Sequence, residues 1–297
     1  MSLQPERPDG VIHDIGYRPY GGRRLGEGAV AWSLFVVGTR HAYGLGRSAR
    51  SKVLPFLLLG AMLLPAAIIV GVVVQADLET QPLDYSTYQL TTLLLISVFV
   101  ASQAPTLFSR DVRYRTLTLY FARPIRRVTF VLIRFASLAT AVFILIFLPL
   151  LLLYVGGLLA DMPIGRETGD FLRGVVGAVV LALVLAAFSA VIAATTVRRG
   201  LAIAAIIVAL VLSYTVVSSF QGIAAGTGNP GIAQVAGAFS PYTLVNGFQA
   251  WAFDVPWAGP PMPIGAGVGV GYLAVACAVV LGSIGLLMWR YRRLAAV

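Results

Sequence analysis

Charge is scarce in this chain: 11% of its 297 residues are charged and 58% are apolar. Soluble proteins carry roughly 25% charged residues, and a soluble domain of this size could not cover its surface with so few. The composition excludes that class and leaves an integral membrane protein. Lysine is scarcer still. The single one, Lys52, falls within Gly46-Arg47-Ser48-Ala49-Arg50-Ser51-Lys52-Val53, which lacks the G-x-x-x-x-G-K-[ST] spacing of a phosphate-binding loop. That route to ATP hydrolysis is closed. Both histidines, His13 and His41, precede the first long apolar run, so no intramembrane Ser–His pair is available. The one cysteine, Cys277, sits inside an apolar run. It closes no disulfide within the chain and reads as a small buried residue. No cluster of Cys, His or carboxylates has metal-ligand spacing. The expectation is a protein that is not an enzyme, with no catalytic, metal or cofactor-binding residues of its own. The first 28 residues lack an apolar h-region, so no cleavable signal peptide is expected.

What is present is a succession of apolar runs. Residues 1–27 form a polar arm rich in Pro, Gly and Arg. Residues 28–52 mix Trp32, Phe35 and Val36 with Arg40, Arg47 and Arg50, a pattern that predicts an amphipathic interfacial helix with Trp32 and Tyr43 at the headgroup level. Residues 53–293 predict six spans, because runs near 20 apolar residues suffice to cross the hydrocarbon. They cover about Val53–Val74, Ser86–Phe108, Thr129–Leu159, Gly174–Val197, Leu201–Phe220 and Ile264–Trp289. The loop before the fourth holds Asp161, Arg166, Glu167 and Asp170, and Arg198-Arg199-Gly200 is a tight hairpin. Residues 221–263 are rich in Gly and Pro and carry Gln234, Asn246, Gln249 and Asp254. They predict short external or re-entrant helices, rimmed by Trp251 and Trp257.

Charge sets the expected orientation. Twenty basic residues fall on the side holding both termini, and two, Arg166 and Arg173, on the other. Under the positive-inside rule both termini are cytoplasmic. The fold class expected is therefore all-α integral membrane, with six transmembrane helices. The positive charge needs no nucleic acid to explain it.

Polar residues inside the spans are few. Tyr88, Thr92, Ser97 and Gln103 in the second, with Ser213, Tyr214 and Ser218 in the fifth, are candidates for a transport path. Back-bonding to their own helices or packing between helices is the alternative for each hydroxyl, while Gln103, a primary amide deep in a span, needs partners. Gly265, Gly267, Gly269 and Gly271 suggest close helix contact, and Arg134 is expected to snorkel to the interface. The apolar centres of the spans hold no Asp, Glu, Lys or Arg, which argues against a proton- or ion-coupled carrier. A protein that moves something without its own energy source would borrow one.

Between the second and third spans lies a basic island. Seven arginines fall between Arg110 and Arg134, against one acid, Asp111. Leu117, Leu119, Tyr120 and Phe121 are interspersed among them, a pattern suited to docking a soluble partner. Arg115-Thr116-Leu117-Thr118-Leu119-Tyr120-Phe121-Ala122-Arg123-Pro124-Ile125-Arg126-Arg127 resembles the segment after the second span in the ABC-2 type permeases, the membrane subunits of a class of ATP-binding-cassette exporters. Thr116, Leu117 and Pro124 match that pattern, and Arg115 stands where Gly is usual. Ser240-Pro241-Tyr242-Thr243-Leu244-Val245-Asn246-Gly247 is similar to the external segment before that family's last span. The resemblance covers about residues 28–293. It implies a coupling segment over 109–127, with Arg110, Asp111, Arg113, Arg115, Thr116, Leu117, Tyr120 and Pro124 facing a separate ABC ATPase subunit that carries the ATP and Mg. It further implies a second permease chain, identical or paralogous, and multi-pass residence in a bacterial cytoplasmic membrane. Two other functions compete with an exporter permease. One is a non-transporting ABC-2-like scaffold that relays ATPase state; the other is an independent secondary carrier.

Overall fold

The computed structural model describes residues 22, 26–76, 78, 80–113, 125–196, 198–255 and 265–294. These are helical, with no strand among them. The helices are α1 (Glu27–Ala42), α2 (Arg50–Gln75), α3 (Tyr85–Thr91), α4 (Leu93–Arg113), α5 (Arg127–Leu159), α6 (Ile164–Thr195), α7 (Arg199–Gly226), α8 (Pro230–Ala236), α9 (Pro241–Phe253) and α10 (Ala266–Leu294), with a 3₁₀ turn at Gly237–Phe239. Five of them are long and apolar enough to cross a membrane, and the pair α3 and α4 makes a sixth if counted as one bent span. This is the build of a multi-pass membrane protein. Backbone polar groups have no water to bond within hydrocarbon, so each span must satisfy its own.

α5 and α6 form the middle of the bundle and pack along each other, while α2, α7 and α10 expose much of their surface. Leu58, Leu145, Leu150, Leu185 and Leu210 belong to one continuous buried core. Inner and outer faces of the spans are both apolar, as expected where lipid rather than water lies outside.

Four departures from the sequence reading have physical causes. The second span is not one rod. It breaks at Thr92, where α3 meets α4 at 64°. The break keeps its hydrogen bonds: Thr92 Oγ1 donates to the Tyr88 carbonyl at 2.9 Å, and Tyr242 Oη donates to the Leu93 carbonyl at 3.0 Å. The fourth span begins earlier, at Ile164, so Arg166, Glu167 and Asp170 lie in its first turns rather than in a loop. Cys277 is exposed on the outside of α10, not buried. Arg134 does not snorkel outwards. It is buried in the protein, with its guanidinium 5.2 Å from the Phe130 ring.

Within residues 28–52, where one amphipathic interfacial helix was expected, α1 ends at Ala42 and runs alongside the first half of α5. Ser137 Oγ donates to the Phe35 carbonyl at 3.2 Å, and Tyr43 Oη donates to the Ala141 carbonyl at 2.7 Å. Gly38 permits this approach, because a Cβ there would overlap the Ser137 side chain. The pairing accounts for the 33-residue length of α5, about 50 Å of helix. Its first turns have α1 as a protein partner. Trp32 is exposed on the outer side of α1.

Candidate functional site

The ends of α4, α6 and α10 meet the start of α5. Ser109 Oγ donates to the Ala193 carbonyl, tying α4 to the last turn of α6. Tyr291 Oη donates to the Phe108 carbonyl at 3.1 Å, tying α10 to α4, and its ring packs against Phe130 of α5 at 6.1 Å. α1 clamps the same place. Glu27 accepts from Thr129 Oγ1 at 2.7 Å and from the Arg126 backbone N–H at 3.2 Å, and its other oxygen lies 3.7 Å from Arg126 Nε. The Thr129 hydroxyl and the Arg126 amide hold the Glu27 carboxyl below its usual range. Ile125, just before α5, is buried.

The basic island joins this cluster of helix ends. Of the residues assigned to ATPase coupling, Arg115, Thr116, Leu117, Tyr120 and Pro124 lie outside the described residues, while Arg110, Asp111 and Arg113 end α4. Arg198 and Arg199 stand at the start of α7, and Arg290, Arg292 and Arg293 at the end of α10. The cation-rich stretches on either side of the spans therefore gather at one end of the bundle.

The candidate path residues divide into four groups. Ser97 and Tyr242 share a hydrogen bond of 2.7 Å, and Tyr214 stands edge-on to the Tyr242 ring at 6.1 Å. Tyr242, missed as a candidate, is thus the hub that joins α4, α7 and α9. Its position just after Ser240-Pro241 was the available signal, since Pro at the first helical turn fixes where α9 begins. Tyr88 donates to the Met62 carbonyl of α2, and Thr92 caps the break. Gln103 finds its partner next door, donating from Nε2 to Ser102 Oγ at 3.0 Å. Ser213 back-bonds to Leu210 at 3.1 Å, and Ser218 is half-buried on α7.

Within the segment between the fifth and sixth spans, α9 is folded into the protein, while Ile232, Val235 and Phe239 before it are exposed. Tyr242 through Gln249 of α9 are buried against α6, α7 and α10. Two glycines make room: a Cβ on Gly177 would overlap Gln249, and one on Gly269 would overlap Trp251. Gly265, Gly267 and Gly271, expected in close contacts, face open space. Trp257 lies outside the described residues.

Glu167 was assigned to a loop, yet it is buried within the protein. It accepts from Tyr85 Oη and, at 3.3 Å, from Gln81 Nε2. Its neighbours Arg166 and Asp170 face outwards, so hydropathy averaged over this turn hides one inward acid among outward charges. No three His, Cys, Asp or Glu side chains among the described residues are placed to hold a metal ion.

No protein-family model matches this chain, and no curated protein matches it.

Proposed function

We propose that this chain is the transmembrane permease subunit of an ATP-driven exporter of the ABC-2 type, taking its energy from a separate ATPase that docks on residues 109–127. The observation that carries the reading is the joint at the basic end. A soluble subunit moves a membrane protein only through an element fixed to several spans at once. Ser109, Tyr291 and Glu27 tie the ends of the island to α6, α10 and α1, so a push on it reaches all of them. The charge asymmetry supports a cytoplasmic position for this end and for both termini. The Ala-, Gly- and Arg-rich composition suits a bacterial cytoplasmic membrane. A second permease chain, the same or a paralogue, completes the assembly.

The test is co-purification of the detergent-solubilised chain with its candidate ATPase. Leu117→Asp and Arg115→Glu are expected to abolish capture while the membrane chain still elutes as a folded species. An ATPase that fails to bind wild type, or that binds both variants equally, sinks the reading. A relay scaffold without transport is the second reading. It is favoured by Ser97 and Tyr242, which close on each other inside one chain rather than line an open stripe. Substrate-stimulated ATP hydrolysis with flux into inverted vesicles supports the exporter; ATPase binding without flux supports the relay.

A further inference from the structure

At the end of the bundle away from the basic island, α3, α6 and the end of α9 enclose a cavity of about 320 Å³. We infer that this cavity is a binding site for a small organic cation carrying an ammonium group. The volume is near the lower limit for ligand pockets, about 300 Å³.

The lining holds more carboxylates than cations. Three carboxylates border it, Asp84, Asp170 and Asp254, with two arginines, Arg166 and Arg173. Both arginines stand beside one acid, Asp170. Arg173 Nη1 donates to Asp170 at 2.9 Å, and Arg166 Nε lies 3.9 Å from its other oxygen. Among the described residues, Asp84 and Asp254 have no ion pair within 4.0 Å. Asp84 occupies the N-cap position of α3, where an aspartate ordinarily accepts from the helix, yet its side chain makes no capping bond. Asp254 ends α9 in the left-handed region, φ 53°, a conformation that costs a non-glycine residue.

Buried oxygens point to the same chemistry independently. Ser86 lines the cavity, is 2% exposed, and its Oγ has no hydrogen-bond partner. One turn on, Gln89 is 1% exposed and donates from Nε2 to the Gly174 carbonyl at 3.0 Å. A carbonyl only accepts, so the amide orientation is forced and Gln89 Oε1 is left without a donor. In the adjoining recess, Gln81 Nε2 faces the Leu153 carbonyl at 3.1 Å, and its Oε1 is likewise unpartnered. Buried acceptors without donors are costly. An ammonium supplies up to three N–H donors and a positive charge together.

The alternatives fit less well. An anion would meet three carboxylates against two arginines. A bare metal ion needs converging ligands, and no such group exists among the described residues. Partial desolvation at the cavity wall, and then the Asp170 carboxylate, hold the Asp84 carboxyl above its usual range, with Arg166 opposing. A bound cation relieves that repulsion. The inference does not rest on ATPase coupling, and its test uses no ATPase.

The full chain is placed in phosphatidylcholine nanodiscs and titrated with putrescine by calorimetry, with 1,4-butanediol as the uncharged isostere. Putrescine is expected to bind saturably and about ten-fold or more tighter than the diol, because charge-assisted hydrogen bonds are the stronger ones. Asp84→Asn and Asp254→Asn, both at exposed positions, should each weaken it about ten-fold. Ser86→Ala should weaken it about three-fold. If exchange into phosphatidylethanolamine discs weakens putrescine, the ammonium is that of a lipid headgroup; if it has no effect, the ligand is a soluble amine. Three results overturn the inference: putrescine binding no tighter than the diol, both asparagine variants binding as wild type, or calcium chloride displacing putrescine at equal concentration.

Discussion

At one end of the bundle Ser109, Tyr291 and Glu27 each commit a polar atom to another helix. At the other end Ser86, Gln89 and Gln81 keep oxygens that receive nothing. Both regions are built on helix termini, and both carry many charged residues. They differ in what is left over: at the joint the Arg290 Nε donor, at the cavity acceptor oxygens. The first uses its hydrogen bonds to fasten α1, α4, α5, α6 and α10 into a joint that resists being pulled apart. The second leaves the Ser86 oxygen in the cavity wall, and the Gln89 and Gln81 side-chain oxygens buried, without donors. Joining and receiving are different tasks, and one chain assigns them to opposite ends of the same helices.

The largest expected effect tests how firmly the receiving end is built. Gly177→Leu should drive Gln249 from its seat on α6, and overpacking of this kind costs about 3 kcal/mol. Denaturant unfolding in detergent micelles checks it; a change under 1 kcal/mol would mean that α9 is loosely held. Midway between the ends, Tyr242→Phe removes the bonds to Ser97 and to the Leu93 carbonyl. It should cost about 2 kcal/mol, and hydrogen exchange at the amides flanking Thr92 should rise with it. At the joint, Ser109→Ala leaves the Ala193 carbonyl without its hydroxyl donor. A loss of about 1 kcal/mol is expected in the same unfolding assay, and an unchanged midpoint would remove that tie from the comparison.

The finest contrast is the sign of the pH dependence. Glu27 titrates below its ordinary value of 4.5 in the folded chain. Its contribution is present above that value and is lost as pH falls through the lowered one. Protection of the first amides of α1 should therefore drop in acid, and Glu27→Gln should flatten the response. Asp84 behaves oppositely. Its folded value lies above the ordinary 3.8, so the folded state is favoured below 3.8 and loses ground as pH rises through the raised value. Asp84→Asn should remove that slope. Two slopes of the same sign would break the contrast between the ends.

Much of the bundle was legible in the sequence, because a long apolar run has few other solutions. The residues of α2, α5, α7 and α10 declare themselves by hydropathy alone. The break at Thr92 does not, since Thr91-Thr92-Leu93 carries neither Pro nor Gly, and the bend is held by a tyrosine 150 positions away in sequence. Nor does the face that Cys277 presents, because both faces of a span are apolar and hydropathy does not tell lipid from protein. Glu167 was misplaced for the converse reason: three outward charges beside it read as loop. The polar cavity was invisible because its residues come from three separate segments, and none of them forms a motif by itself.

The bend in the second span also changes what a displacement does. A straight rod carries an axial push to its far end unaltered. A bent one turns part of that push into a sideways swing of the shorter arm. α3 has seven residues, about 10 Å of helix, so a rotation of about 10° at Thr92 would sweep its tip through about 2 Å. That tip is Tyr85, a wall of the cavity, and 2 Å is enough to decide whether an ammonium and its carboxylate are in contact or apart.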